Sequence, residues 1–128
     1  LFVGFIWLPV SMLLYAVDSA SLMLKGVSSF GRAPLHALAV GFFGSLLVAM
    51  VTRVTAGHSG RALMLGPVAA FAFAGMHLVA LMRVGADLMP NPLGWWQASA
   101  LAWLLVFLPW VLRSLWIYMT PRVDGKPG

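Results

Sequence analysis

The sequence predicts an all-α fold, a polytopic transmembrane bundle of four spanning helices. Two observations lead to this prediction: 62% of the 128 residues are hydrophobic and only 9% are charged, and the apolar residues fall into four long runs. Soluble domains carry about 25% charged residues. A chain this apolar would expose more hydrophobic surface than water tolerates. Membrane lipid is therefore the expected surrounding, and an ordinary soluble enzyme and a disordered chain are excluded.

Four apolar runs are long enough to cross a bilayer, which takes about 20 residues. The predicted spans are residues 2–24, 35–55, 63–84 and 93–119, followed by a polar tail over 120–128. Pro34 suits the first turn of the second helix, because the N–H that proline lacks has no partner there anyway. Short connections make neighbouring helices antiparallel, so residues 1–128 are expected to form one four-helix unit.

The charges set the expected orientation. The net charge is +5, and the cations stand singly at the ends of apolar runs, so no nucleic-acid partner is expected. An even number of spans puts both chain ends on one side, and five of the eight cations fall on that side. Positive residues collect on the cytoplasmic side of membrane proteins. Both ends are therefore predicted to be cytoplasmic.

Helix faces indicate how the spans pack. Along the second span, small residues recur every four positions, which allows a close approach of two helix backbones in lipid. They are Ala37, Gly41, Ser45 and Ala49. The first and fourth spans are bulkier, and their tryptophans, Trp7 and Trp110 among them, are expected to face lipid more.

Histidines dominate the short inventory of reactive side chains, since the chain has no cysteine and only three acids. No catalytic residue is assigned, and whether the chain is an enzyme stays open. His36, in the first turn of the second helix, is either an interfacial side chain or a ligand of haem iron or copper. His77 lies on a small-residue face of the third helix and is expected to point into protein. It either bonds a carbonyl of a neighbouring helix or serves a function.

His58 lies in the glycine-containing turn Gly57–Arg61. It either marks a tight turn, or joins Arg61 and backbone N–H groups in an anion cradle, or contributes to a metal site at the membrane surface. Arg53, just inside the end of the second helix, is expected to extend to the lipid headgroups.

Spacing decides which histidines can share a site. His36 and His58 are 22 residues apart on one helix, about 33 Å at 1.5 Å per residue, so they cannot bind the same metal ion. His77 is expected roughly 9 Å deeper than His36 from the same membrane face. These two imidazoles would nearly meet across one haem iron, or His36 would pair with a histidine from helices outside this chain.

The chain resembles the NnrS family of polytopic bacterial membrane proteins. The residues that carry the resemblance are Pro34-Leu35-His36-Ala37-Leu38, Gly41, Gly44, Met50-Val51-Thr52-Arg53, Gly57-His58-Ser59-Gly60-Arg61 and the ending Pro121-Arg122-Val123-Asp124-Gly125-Lys126-Pro127-Gly128. Family members are longer, and the chain starts within an apolar run. It is therefore expected to be the C-terminal part of a longer protein whose preceding helices pack against it.

The resemblance implies a bacterial inner-membrane protein that binds haem and copper and acts in the response to nitric oxide during denitrification. His36 and His58 match the family motif and are the implied metal ligands, in two separate polar sites. Arg53 and Arg61 also match it and are implied cofactor-binding residues. His77 lies outside the motif and is a cofactor-binding candidate through its position alone.

Two other functions are compatible with the residues. In a structural or assembly subunit, the small-residue stripe would serve helix packing alone. A small-molecule transporter or sensor would need polar residues that converge at mid-membrane, for which His77 is the candidate.

Overall fold

The computed structural model describes residues 2–125, and these residues form four long helices and no strand. The helices are α1 (Phe2–Lys25), α2 (Ala33–His58), α3 (Pro67–Ala86) and α4 (Leu93–Tyr118). Each is long and apolar enough to cross a membrane. The predicted all-α fold with four spanning helices is confirmed. Of the predicted polar tail, residues 126–128 lie outside the described residues.

Local sequence explains where the helices begin and end. α1 stops at Gly26, whose φ of 73° is left-handed and whose N–H bonds the carbonyl of Leu22. α3 begins four residues later than the predicted span at 63, because Gly66 is extended and Pro67 occupies the first helical turn. Leu63–Leu65 therefore belongs to the connection between α2 and α3, although its residues are apolar.

α3 is the centre of the bundle. It packs along both α4 and α2, and most of its contacts with α2 are with the first half of that helix. The buried core lies among these three helices and includes Val48, Met76, Val106 and Trp110. α1 packs mainly on α2 and so lies at one edge.

α1 is displaced along the bundle axis relative to α2. A Cβ at Gly4 would meet the hydroxyl of Ser45, and the Ser11 hydroxyl donates to the carbonyl of Pro34 at 2.9 Å. From Ser11 to Lys25, α1 therefore extends about 20 Å past the start of α2, at 1.5 Å per residue. The connection to α2 runs back along this extension.

Asp18 holds that returning connection. Its carboxylate accepts hydrogen bonds from the Ser28 hydroxyl and from the backbone N–H groups of Ser29 and Phe30. These bonds provide acceptors for backbone N–H groups of the connection, which have no partner in a helix. The sequence predicted antiparallel neighbours, which the structure has, but not this axial displacement.

A π-helical segment, Ala37–Gly44, follows His36 directly within α2. Its wider turn leaves the α-helical hydrogen-bond pattern for eight residues, and the Ser45 hydroxyl donates to the carbonyl of Gly41 at 2.6 Å. Most π-helical insertions are single turns, and they are frequent at functional sites. The segment thus lies directly beside His36, in the half of α2 that packs on α1 and α3.

Two tryptophans face the protein interior, so the expectation that they face lipid is wrong for them. Trp110 is only 6% exposed, and its indole Nε1 donates to the Thr52 hydroxyl at 2.8 Å. Trp7 packs against Gly41, where a Cβ would collide with the indole ring. Small partners and a hydroxyl acceptor accommodate these bulky, polar-tipped rings. Trp103 and Trp116 are exposed, as the sequence predicted.

Candidate functional site

Three side chains from three helical regions meet at the end of the bundle where α2 and α4 begin. His36 lies in the first turn of α2, Asp87 directly follows α3, and Trp96 lies in the first turn of α4. His36 Nδ1 is 2.9 Å from Asp87 Oδ2, and Trp96 Nε1 donates to Asp87 Oδ1 at 3.2 Å. The Asp87 side chain is only 5% exposed, so these two donors compensate a nearly buried carboxylate.

The hydrogen bond to Asp87 determines what His36 offers to a ligand. A carboxylate accepts, so Nδ1 carries the proton and donates it toward Asp87. In the neutral imidazole, Nε2 then has a free lone pair. Within residues 2–125, Nε2 has no hydrogen-bond partner, and His36 is partly exposed. Metal-ligating histidines commonly have this arrangement, in which a carboxylate orients the ring and raises its basicity.

The residues around His36 offer one free imidazole nitrogen rather than a complete metal site. Among the described residues, no group of three or more His, Cys, Asp or Glu lies close enough to hold a metal ion. A haem iron needs only one or two axial protein ligands, which a single oriented imidazole satisfies. A copper site would need further donors from outside residues 2–125.

His77 has a different partner and a different proton arrangement. Its Nδ1 accepts a hydrogen bond from Trp7 Nε1 at 2.9 Å, and the edge of Phe73 lies against the ring. Because Nδ1 accepts, the proton of the neutral ring is on Nε2. That atom is buried and has no partner among the described residues. His77 therefore presents an N–H donor, not a lone pair, and it points into protein as predicted.

We expect the Trp7–His77 bond to contribute measurably to stability. Trp7→Phe and His77→Leu, singly and combined, form a double-mutant cycle with an expected coupling of about 0.6 kcal/mol, the average for hydrogen bonds within a membrane protein, and of no more than about 1.7 kcal/mol. The measurement is unfolding of the detergent-solubilised protein. Trp95→Phe is the control, because Trp95 is 47% exposed and has no such bond. A coupling near zero would contradict the bond.

His58 lies at the opposite end of α2 from His36, as the spacing predicted. It is exposed and lines a groove of about 330 Å³ with Tyr118 and Arg122. Hydrogen bonds to Asp124 raise the pKa of Arg122 and commit that guanidinium to Asp124. His58 thus remains available at a surface, without a hydrogen-bond partner among residues 2–125.

The turn around His58 does not offer the predicted cradle of backbone donors. Ser59 N–H bonds the carbonyl of Thr55, Gly60 N–H that of Gly57, and Arg61 N–H that of Ala56. These bonds terminate α2, so the three N–H groups are not free for an anion.

Arg61 and Arg53 are placed apart from each other. The Arg61 guanidinium lies 5.9 Å from the centre of the Trp116 ring, and its Nη2 is 3.5 Å from the Thr120 hydroxyl. Arg53 is exposed and lines a cleft of about 210 Å³ with Leu63 and Met64. The structure therefore places Arg53, His58 and Arg61 toward the opposite end of α2 from His36.

Sequence reasoning missed Asp87, Trp96 and Trp7 as partners of the histidines. Asp87 is one of only three acids, and it follows a span whose end lies at the same membrane face as His36. In a chain with so few acids, an acid and a histidine at the same membrane face are the sequence signal by which this pair could have been found. The indole partners have no comparable sequence signal.

The fold and this cluster define a polytopic membrane protein with an oriented, carboxylate-bonded histidine at one end of its bundle. The family model described as NnrS protein matches residues 1–122, and the chain belongs to the NnrS family. No curated protein and no solved structure matches the sequence.

Proposed function

We propose that this chain is part of a haem- and copper-binding protein of the bacterial inner membrane that acts in the response to nitric oxide. The nitric oxide role is the one that the resemblance to the NnrS family implies, and the family match over residues 1–122 supports it. The single observation that supports a ligand role is the 2.9 Å contact of His36 Nδ1 with Asp87, which leaves Nε2 free.

In this proposal His36 would hold a haem, whose iron would bind nitric oxide or exchange an electron. Asp87 fixes the ring and keeps the proton on Nδ1, and Trp96 holds the second oxygen of Asp87. His58 is the copper ligand of a separate site at the other end of α2. The remaining ligands of both sites come from outside residues 2–125, and no reaction is assigned.

The test is the absorption spectrum and metal content of the full-length protein purified in detergent. His36→Ala is expected to abolish most of the Soret absorbance that this site contributes and to leave the copper content unchanged. His58→Ala, the matched histidine variant, is expected to lower copper and keep the Soret band. A wild-type protein without a Soret band, or a His36→Ala protein with an unchanged one, would contradict the haem assignment.

A structural or assembly role is the second candidate. It is supported by close helix contacts at three glycines, where an added Cβ would collide with a side chain of the neighbouring helix. The pairs are Gly41 with Trp7, Gly44 with Met76 and Gly75 with Val106. In this case, His36→Ala and His58→Ala would leave nitric oxide tolerance of the cells intact. A transporter or sensor would rely on His77, whose Nδ1 is already bonded to Trp7.

A further inference from the structure

Two arginines line one small cavity at the end of the bundle opposite His36. The cavity, of about 50 Å³, lies between the end of α2, the connection to α3 and the last third of α4. Arg61 and Arg113 enter it from different segments, and Thr52 and Ser114 add hydroxyl groups to its wall. The cavity is distinct from the surface groove at His58, which Arg122 lines.

Neither arginine has an acidic partner within residues 2–125. Arg61 Nη1 is buried without any hydrogen bond, and the Arg113 guanidinium lies against Gly66. Asp18 and Asp87 are bonded at the other end of the bundle, and the third acid, Asp124, is bonded to Arg122. Arg61 is partly buried and Arg113 is exposed. A buried guanidinium nitrogen without a partner is unfavourable, and two like charges beside one cavity repel each other. Both effects favour an anion between the two guanidinium groups.

The chemistry of the walls fits an oxyanion. Guanidinium groups present paired N–H donors that match the oxygens of phosphate or carboxylate groups. A cavity of about 50 Å³ exceeds the roughly 10–15 Å³ that one water needs, and it is too small for a large organic ligand. One tetrahedral group with several oxygens fits these limits.

The depth of the site fits the headgroup layer of a membrane. Arg113 lies five residues before the end of α4 at Tyr118, about 7.5 Å along the helix axis. Trp116, which contacts Arg61, is 62% exposed on the outside of the bundle, where an interfacial tryptophan is usual. A phosphate on a lipid can therefore reach the cavity from the side, and a free phosphate can reach it from solution.

We propose that Arg61 and Arg113 form a binding site for a phosphate-type oxyanion, supplied by the headgroup of an anionic phospholipid or by free phosphate. The guanidinium groups bind the oxygens from two sides, and the hydroxyls of the wall complete the contacts. Bound anion fixes the α2–α3 connection to α4, because Arg61 belongs to the connection and Arg113 to the helix.

The test uses the delipidated full-length protein in detergent, with phosphatidylglycerol, phosphatidylcholine or inorganic phosphate added in separate arms. Binding is followed by native mass spectrometry and by the shift of the unfolding temperature. Phosphatidylglycerol or inorganic phosphate is expected to bind and to raise the unfolding temperature, and phosphatidylcholine to have a smaller effect. A response to phosphatidylglycerol but not to inorganic phosphate identifies a lipid headgroup as the ligand. A response to inorganic phosphate shows that the site also accepts the free anion.

Variants separate a built site from general attraction to positive charge. Arg61→Gln and Arg113→Gln are each expected to weaken binding about 10- to 100-fold, as expected for loss of a charged hydrogen-bond donor. Arg113→Lys keeps the charge without the paired donors and is expected to show an intermediate loss. Arg53→Gln removes a charge at the same end of the bundle that lines a different cleft, and it is expected to change binding little.

Two outcomes would overturn the proposal. One is that neither phosphatidylglycerol nor inorganic phosphate binds the wild-type protein. The other is that Arg53→Gln weakens binding as much as Arg61→Gln and Arg113→Gln do. Helix content measured without added anion shows whether each variant is folded. If a glutamine variant does not fold, the conservative Arg113→Lys protein still tests the proposal.

Discussion

Replacing Asp87 by Asn is expected to lower the affinity for haem or metal at His36 by about 10- to 100-fold, the usual effect of removing a carboxylate partner from a ligating histidine. The substitution keeps the size of the side chain but removes the charge that holds the proton on Nδ1. The ring is then free to place its proton on Nε2, the nitrogen that would bind the cofactor. This prediction depends on the proposed ligand role of His36.

The measurement is cofactor retention by the full-length protein, with the reduction potential of the bound haem as a second readout. The potential is expected to rise, because an imidazole without its carboxylate partner donates less electron density to the iron. Asp18→Asn is the matched control, since Asp18 is also a bonded carboxylate but contacts only the connection after α1. Equal losses in both variants would show a general effect of acid removal and contradict a positioning role for Asp87.

Asp87→Ala is expected to affect stability as well. It leaves the Trp96 indole N–H and the His36 Nδ1–H without their acceptor. A fully buried unsatisfied donor costs about 1–3 kcal/mol, and these partly buried donors are expected to cost toward the lower end of that range. This loss of stability does not depend on any cofactor. A destabilised Asp87→Ala protein beside a stable, cofactor-poor Asp87→Asn protein would separate the two roles of the carboxylate.

Gly41→Leu is expected to destabilise the bundle by at least about 1–3 kcal/mol, the cost of overpacking a close contact. Even a Cβ at this position collides with the Trp7 ring, which is held on its far side by the bond to His77. The ring cannot move away without losing that bond, so α1 must separate from α2. Unfolding in detergent and the fluorescence of the indoles report the change.

Gly85→Leu is the control for Gly41→Leu. Gly85 is also helical, and a Cβ there meets nothing within 4 Å. Leucine favours helix over glycine by somewhat less than about 1 kcal/mol, so this variant is expected to be as stable as the original protein or slightly more stable. Equal stability of the two leucine variants would contradict the close α1–α2 contact.

The second helix shows which features the sequence could predict and which it could not. The small-residue stripe correctly predicted a close helix contact at Gly41. The sequence analysis wrongly predicted that Trp7, the partner of Gly41, faces lipid. Local hydropathy records that a residue is apolar, and it does not record which neighbour is small enough to receive it. The 22-residue spacing also placed His36 and His58 at opposite ends of one continuous helix.

The amino-acid sequence by itself determined that this chain belongs to the NnrS family and has four helices long and apolar enough to cross a membrane. Span length and hydropathy are local properties, so they can be read without knowing the packing. Only the tertiary structure decided that His36 bonds Asp87, 51 positions away, and that Arg61 shares a cavity with Arg113. These pairings depend on the rotation and axial displacement of each helix, which contacts between distant segments set.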